Sequence, residues 1–206
     1  MRKRKWGYML LAALVVSGIA GTPGNDTLSK AERKIAINYF KDSRARVIKA
    51  TKGLSEEQLN FKPSPEAWSI KECVYHISLS ENNLWAWMEG LVKSPANPEK
   101  RSEIKVSDEQ VYQMVESRER KVKTMEPFEP KNAKWASAQQ ALDEFKQARN
   151  DHIQYARTTT ETLRDHVTDT PLGAIDAYQL LLFISAHTNR HVAQMEEVKA
   201  APGFPK

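Results

Sequence analysis

Residues 177–199, AYQLLLFISAHTNRHVAQMEEVK, read as one amphipathic helix that carries two histidines on its apolar face. At roughly 100° per residue, Leu180, Ile184, His187, His191 and Val198 share that face, with Met195 slightly off centre. The series Leu180, Ile184, His187, His191, Gln194, Val198 steps by four and three, which is the seam of a helix packed in a bundle. Three consecutive seam positions are polar. A buried imidazole needs a hydrogen-bond partner or a metal ion at each ring nitrogen, and two imidazoles at i and i+4 can grip the same ion. One shared metal ion accounts for both.

The rest of the chain supplies helices for this one to pack against. Ser29-Lys-Ala-Glu32 fits a capping box, and Ile37, Phe40, Val47, Ile48 and Leu54 carry a first helix to about Lys52, with Gly53 as its stop. Arg44 lies on that stripe, either along the bundle edge with its head in solvent or facing the cavity to meet an anion. Pro63 and Pro65 confine Leu54 to Trp68 to a connection with one short helical turn. A second box, Ser69-Ile-Lys-Glu72, opens a helix through Ile70, Cys73, Val74, Ile77, Leu84, Met88 and Leu91 that ends before Pro95. A third helix starts at Ser107 with Val111, Met114, Val115 and Val122 on its apolar side. A fourth starts at Ser137 and runs through Leu142, Phe145, His152 and Tyr155 to about Leu163. Thr168 to Gly173 reads as a turn into the last helix, and no stretch alternates as a strand. The expected class is all-α, a bundle with a long crossover.

The first residues obey a different logic. Met1 to Lys5 is a basic block, an apolar run follows from Trp6 to about Ala20, and Gly21 to Gly24 brings small residues and a proline. That is the order of a secretory signal peptide with cleavage after Ala20. The run falls short of the about 20 residues a membrane span needs, so an uncleaved anchor is the weaker alternative. No cysteine follows the run to take a lipid. The expected organisation is a signal peptide over 1–20, a linker over 21–28 and one domain over 29–206. The expected location is the periplasm or the extracellular space, with no stable membrane association after cleavage.

Four of the 31 basic residues lie in that leader, leaving 27 against 26 acidic ones. No basic stripe remains to recruit nucleic acid or an acidic membrane. The lone Cys73 permits no intramolecular disulfide, four-cysteine zinc site or redox pair, and reads as a small buried apolar residue. Eight scattered glycines build no phosphate-cradling loop.

His76, on the flank of the second helix's stripe, is a structural histidine or the third ligand that His187 and His191 require. Glu72 and Glu81 straddle it, either as general-base candidates or as solvated helix charges. Gln194 fills the seam or orients a ligand ring through its amide. His152 and His166 stand in polar surroundings and read as solvent-facing.

Together, Trp68-Ser-Ile-Lys-Glu72 at a helix start, His76 just after it, and His187-Thr-Asn-Arg-His191 followed by Gln194 resemble the DinB/YfiT-like superfamily over nearly all of the chain after the leader. The resemblance implies a four-helix bundle of up-down-down-up topology with His76, His187 and His191 as ligands of a divalent metal. Zinc is the default, and nickel or iron also suits imidazole. Family members include thiol S-transferases that use bacillithiol or mycothiol, and proteins described as metal-dependent hydrolases. Because those thiols are cytoplasmic, an exported chain fits hydrolysis or simple ligand binding better. Three neutral imidazoles leave zinc an open position where water or a thiol enters and is deprotonated more easily. The expectation is a metal-dependent enzyme, hydrolase or thiol S-transferase, acting on a small-molecule substrate. A non-catalytic metal or small-ligand binder, or a degenerate member with a hydrogen-bonded histidine core, is the competing reading. A homodimer is compatible with either.

Overall fold

The computed structural model describes residues 27–119 and 122–206. The expected signal peptide and the first six residues of the linker lie outside the described residues.

Four long helices form the bundle: α1 (Lys30–Thr51), α3 (Ile70–Lys93), α5 (Ala138–Thr158) and α6 (Ala177–Ala200). Two shorter ones, α2 (Glu56–Asn60) and α4 (Asp108–Glu116), lie in the connections. Capping boxes start five of the six. At α1, Ser29 Oγ accepts from the Glu32 amide at 3.2 Å while Glu32 accepts from the Ser29 amide at 2.7 Å. The same reciprocal pair forms at Ser55/Gln58, Ser69/Glu72, Ser107/Gln110 and Asp176/Gln179. Each satisfies two N–H groups that a helix start would otherwise leave bare.

Side-chain contacts fix the helix directions. Tyr178, at the start of α6, donates to the carbonyl of Glu32 at the start of α1, so those two helices run parallel. Ser78 of α3 meets Ala141 early in α5, and Trp85 stacks on His152 further along, so α3 and α5 are parallel too. Arg33 of α1 donates to the carbonyls of Ala156 and Thr159 at the end of α5, making that pair antiparallel. Its guanidinium thereby caps carbonyls that the helix leaves free. The topology is up-down-down-up, a four-helix bundle as the resemblance implies.

Three boundaries differ from the sequence reading. The fourth predicted helix ends at Thr158 instead of near Leu163, in a run of three threonines whose backbone Arg33 holds out of the helix. The helix opening at Ser107 stops at Glu116, so Val122 lies beyond it and is exposed, as is Met114; of the four expected apolar positions, Val111 and Val115 pack inward. Between Thr168 and Gly173 the chain makes more than a turn. Strands β1 (Val167–Thr170) and β2 (Gly173–Asp176) pair antiparallel with Thr168 opposite Ile175. Gly173, at φ +99°, takes a backbone conformation that a side chain would disfavour.

Two apolar clusters fill the interior. One gathers Phe40, Leu84, Met88, Ile153, Tyr178 and Ile184. The other gathers Val47, Ile77, Phe145, Met195 and Val198. Each long helix contributes a buried polar residue to one level between the two: Ser43 on α1, Glu81 on α3, Arg149 on α5 and Thr188 on α6.

Candidate metal centre

His76 faces α6 from the second turn of α3, and His187 and His191 meet its ring from adjacent turns of α6. Each contributes a ring nitrogen to a group within 4.8 Å of one another. His76 Nε2 and His187 Nε2 are 3.2 Å apart. Two bare lone pairs at that distance repel, so a proton or a cation belongs between them. Ligand bonds of about 2.1 Å in tetrahedral arrangement would set the two nitrogens about 3.4 Å apart, close to what is found.

The far nitrogens are already engaged. His76 Nδ1 lies 2.7 Å from the Phe128 carbonyl, which can only accept, so this nitrogen carries the proton and Nε2 keeps its lone pair. His191 Nδ1 lies 3.0 Å from Gln194 Oε1. Arg118 donates to the same Gln194 atom at 3.3 Å, which identifies it as the amide oxygen and makes His191 Nδ1 a donor as well. Arg118 is braced in turn by a two-point pair with Glu197. Two of the three rings are therefore held in the tautomer that offers Nε2 to an ion.

Burial keeps the imidazoles neutral. His76 is pushed down to about 4 by burial, against the Phe128 bond that favours its charged form. Burial lowers His187 well below the usual histidine range, reinforced by His76, Arg190 and Arg149. His191 follows for the same reason, with His187 and His76 adding to it. A neutral imidazole is the form a metal takes. Trp68 packs against His76 and stacks near His191, with ring centres 4.9 and 5.9 Å away, and Phe183 stacks against His187. His76 and His191 are buried, while His187 keeps part of its surface open.

Other expectations change. Glu81 is no solvated charge: it is 1% exposed and forms a two-point ion pair with Arg149. Burial would raise it, but Arg149 and His152 outweigh that and hold its carboxyl below the usual range. His152, expected in solvent, is buried because its Nδ1 meets Glu81 Oε1 at 2.7 Å and its ring lies 3.6 Å from that of Trp85. His166 is also buried, at the open end of the hairpin, where its carbonyl accepts from the first amide of α6. Glu72 caps α3 and pairs with Lys62. Arg44 lies along the bundle edge and donates to Asn150 on α5. Cys73 is buried as expected, and burial pushes its thiol up.

Sequence reasoning missed the Phe128 carbonyl and Arg118, since Phe128 ends a three-residue 3-10 turn and Arg118 lies just past α4, where periodicity places nothing. It also missed Arg149, although the spacing to Phe145 and Ile153 puts it on the buried stripe of α5.

The fold is a four-helix bundle with three histidines brought together inside it, and the chain belongs to the DinB superfamily, whose family model matches residues 39–195. It is 27% identical over 164 residues to the uncharacterized protein YuaE of Bacillus subtilis (strain 168), covering 79% of this chain and 96% of that one. YfiT from Bacillus subtilis superposes with a TM-score of 0.58 over 87% of this chain and 93% of its own, at 15% identity. YfiT is described as "a probable metal-dependent hydrolase with an unusual four-helix bundle topology". At that identity the likeness establishes the fold.

Proposed function

We propose that the chain is a metal-dependent hydrolase of a small molecule, with His76, His187 and His191 as the ligands of one divalent ion. The observation that carries this is the convergence of three imidazoles, two of them with the far nitrogen tied to Phe128 and Gln194. An all-imidazole set leaves the ion its full charge, with zinc the first choice and nickel or iron next. Held there, the ion would supply Lewis acidity to a water or thiol and to a substrate oxygen.

The chain's own residues then have defined tasks. Phe128 and Gln194 fix ring orientation, and Arg118 fixes Gln194. Trp68 and Phe183 give the cluster apolar flanks that keep bulk water off the rings and suit the apolar part of a small substrate. Export past a leader cleaved after Ala20 belongs to the same proposal. The basic, apolar, small-residue order of residues 1–24 supports it. N-terminal sequencing from the native host checks it: a chain starting near Gly21 agrees, and an intact Met1 in the cytosol restores the thiol S-transferase reading.

One observation favours a second reading, a bundle that holds metal without turnover. Both carboxylates near His76 are committed elsewhere, Glu81 to Arg149 and Glu72 to its cap and Lys62, so neither is free as a general base. The deciding experiment is a pH–rate profile for ester hydrolysis and for thiol conjugation, with metal-loaded protein beside its His191→Ala variant. Hydrolysis that exceeds free metal and disappears in the variant supports the enzyme. Equal rates leave the binding reading.

A further inference from the structure

The buried polar layer of Ser43, Glu81, Arg149 and Thr188 separates the two apolar clusters, and its connections run between helices. Helix α5 carries none of the three clustered histidines, yet the guanidinium of its Arg149 reaches the other three long helices. Its Nε donates to Glu81 Oε1 of α3 at 2.7 Å, and a second nitrogen donates to Glu81 Oε2. That second nitrogen also donates to Thr188 Oγ1 of α6 at 2.9 Å, and the third donates to Ser43 Oγ of α1 at 2.6 Å. The rings of Phe40 and Phe145 pack on it, 4.9 and 5.1 Å from the guanidinium carbon.

Two of these tethers end beside the histidine cluster. Thr188 follows His187 directly and lies three residues before His191. Glu81 follows Ser80, whose hydroxyl is 3.5 Å from His76 Nε2. Apolar seams tolerate axial sliding because one methyl resembles another, whereas a planar guanidinium with directed bonds to fixed oxygens does not. A slip of one residue along a helix is about 1.5 Å, enough to part nitrogens that must share one ion.

We propose that Arg149, through Glu81 and Thr188, is a positioning device that sets the register of α3 against α6 and so the separation of His76 from His187 and His191. The inference rests on those three histidines being the ligand set.

The test uses cobalt(II) as probe, following affinity by titration and ligand geometry by visible absorption of the bound ion. Thr188→Val and Ser43→Ala each remove one hydrogen bond from the same guanidinium, but only Thr188 lies on a helix bearing ligands. Expected is a cobalt affinity about tenfold weaker in Thr188→Val, with a changed absorption spectrum, and a change under about twofold in Ser43→Ala. The double variant Glu81→Leu/Arg149→Met removes both charges together, which buried pairs often tolerate without loss of stability. It should fold, melt near the parent temperature and bind cobalt at least about tenfold more weakly. Equal losses in Thr188→Val and Ser43→Ala, or a folded double variant with parental affinity and spectrum, would overturn the positioning role while leaving the ligand set intact. A parent protein that binds no cobalt would overturn the ligand set and this inference with it.

Discussion

Gln194 accepts from His191 Nδ1 through its amide oxygen at 3.0 Å, one turn further along the same helix. The bond raises the basicity of the opposite nitrogen and fixes the ring plane. Gln194→Ala is therefore expected to weaken metal affinity by about tenfold or more with little change in fold. Gln194→Glu, which keeps an acceptor at the same reach, should recover most of it. Isothermal titration with zinc checks both; an alanine variant with parental affinity would show that the amide only fills the seam.

The ligand variants should remain folded. His76→Ala, His187→Ala and His191→Ala each leave both apolar clusters in place, so urea unfolding of metal-free protein should shift by no more than about 1–2 kcal/mol. Loss of the cooperative transition in any of them would mean the histidines are core structure first.

Acid should destabilise the metal-free protein through the same rings. An unfolded chain protonates His76 near 6.5, whereas burial keeps the folded ring neutral until about 4. The folded pKa is the depressed one, so this contribution is fully present above about 6.5 and is lost as the pH falls toward 4. His76 alone accounts for about 3 kcal/mol across that window, and His187 and His191 shift in the same direction. Thermal melts in chelator at pH 7.5, 5.5 and 4.5 should show falling midpoints. Midpoints that hold steady or rise would contradict the burial of neutral imidazoles.

Breaking the central ion pair from one side should be costly. Arg149→Met leaves the Glu81 carboxylate buried with only His152 beside it, and Glu81→Leu strands the guanidinium. Each single variant is expected to lose about 3–5 kcal/mol in urea unfolding, against little loss in the double variant. Additive single losses would show that the two charges do not depend on each other.

Most of the architecture was legible because serine-led capping boxes and four-three apolar spacing are local signals, and the ends of α1 and α3 followed from them within a residue or two. The ends of α4 and α5 were not, since Arg118 and Arg33 reach across to other helices and the sequence does not say where a long side chain will land. The three converging histidines were legible once two of them fell on one seam and demanded a third. Glu81, Arg149 and His152 were misread or passed over because charge argued for solvent. Their spacing argued otherwise: Ile77, Glu81 and Leu84, like Phe145, Arg149 and Ile153, step by four and three or by four and four along buried stripes. A charge is excluded from a core only when it lacks a partner, and each of these partners lies on another helix.

The ligand assignment meets its most direct test in elemental analysis of protein purified without added metal, run on the parent beside His76→Ala and His187→Ala. About one divalent transition-metal ion per chain in the parent, falling to near zero in both variants, is the expected result. A parent without stoichiometric metal that also fails to take up zinc, nickel or iron on dialysis, or variants that keep the parental content, would contradict the account.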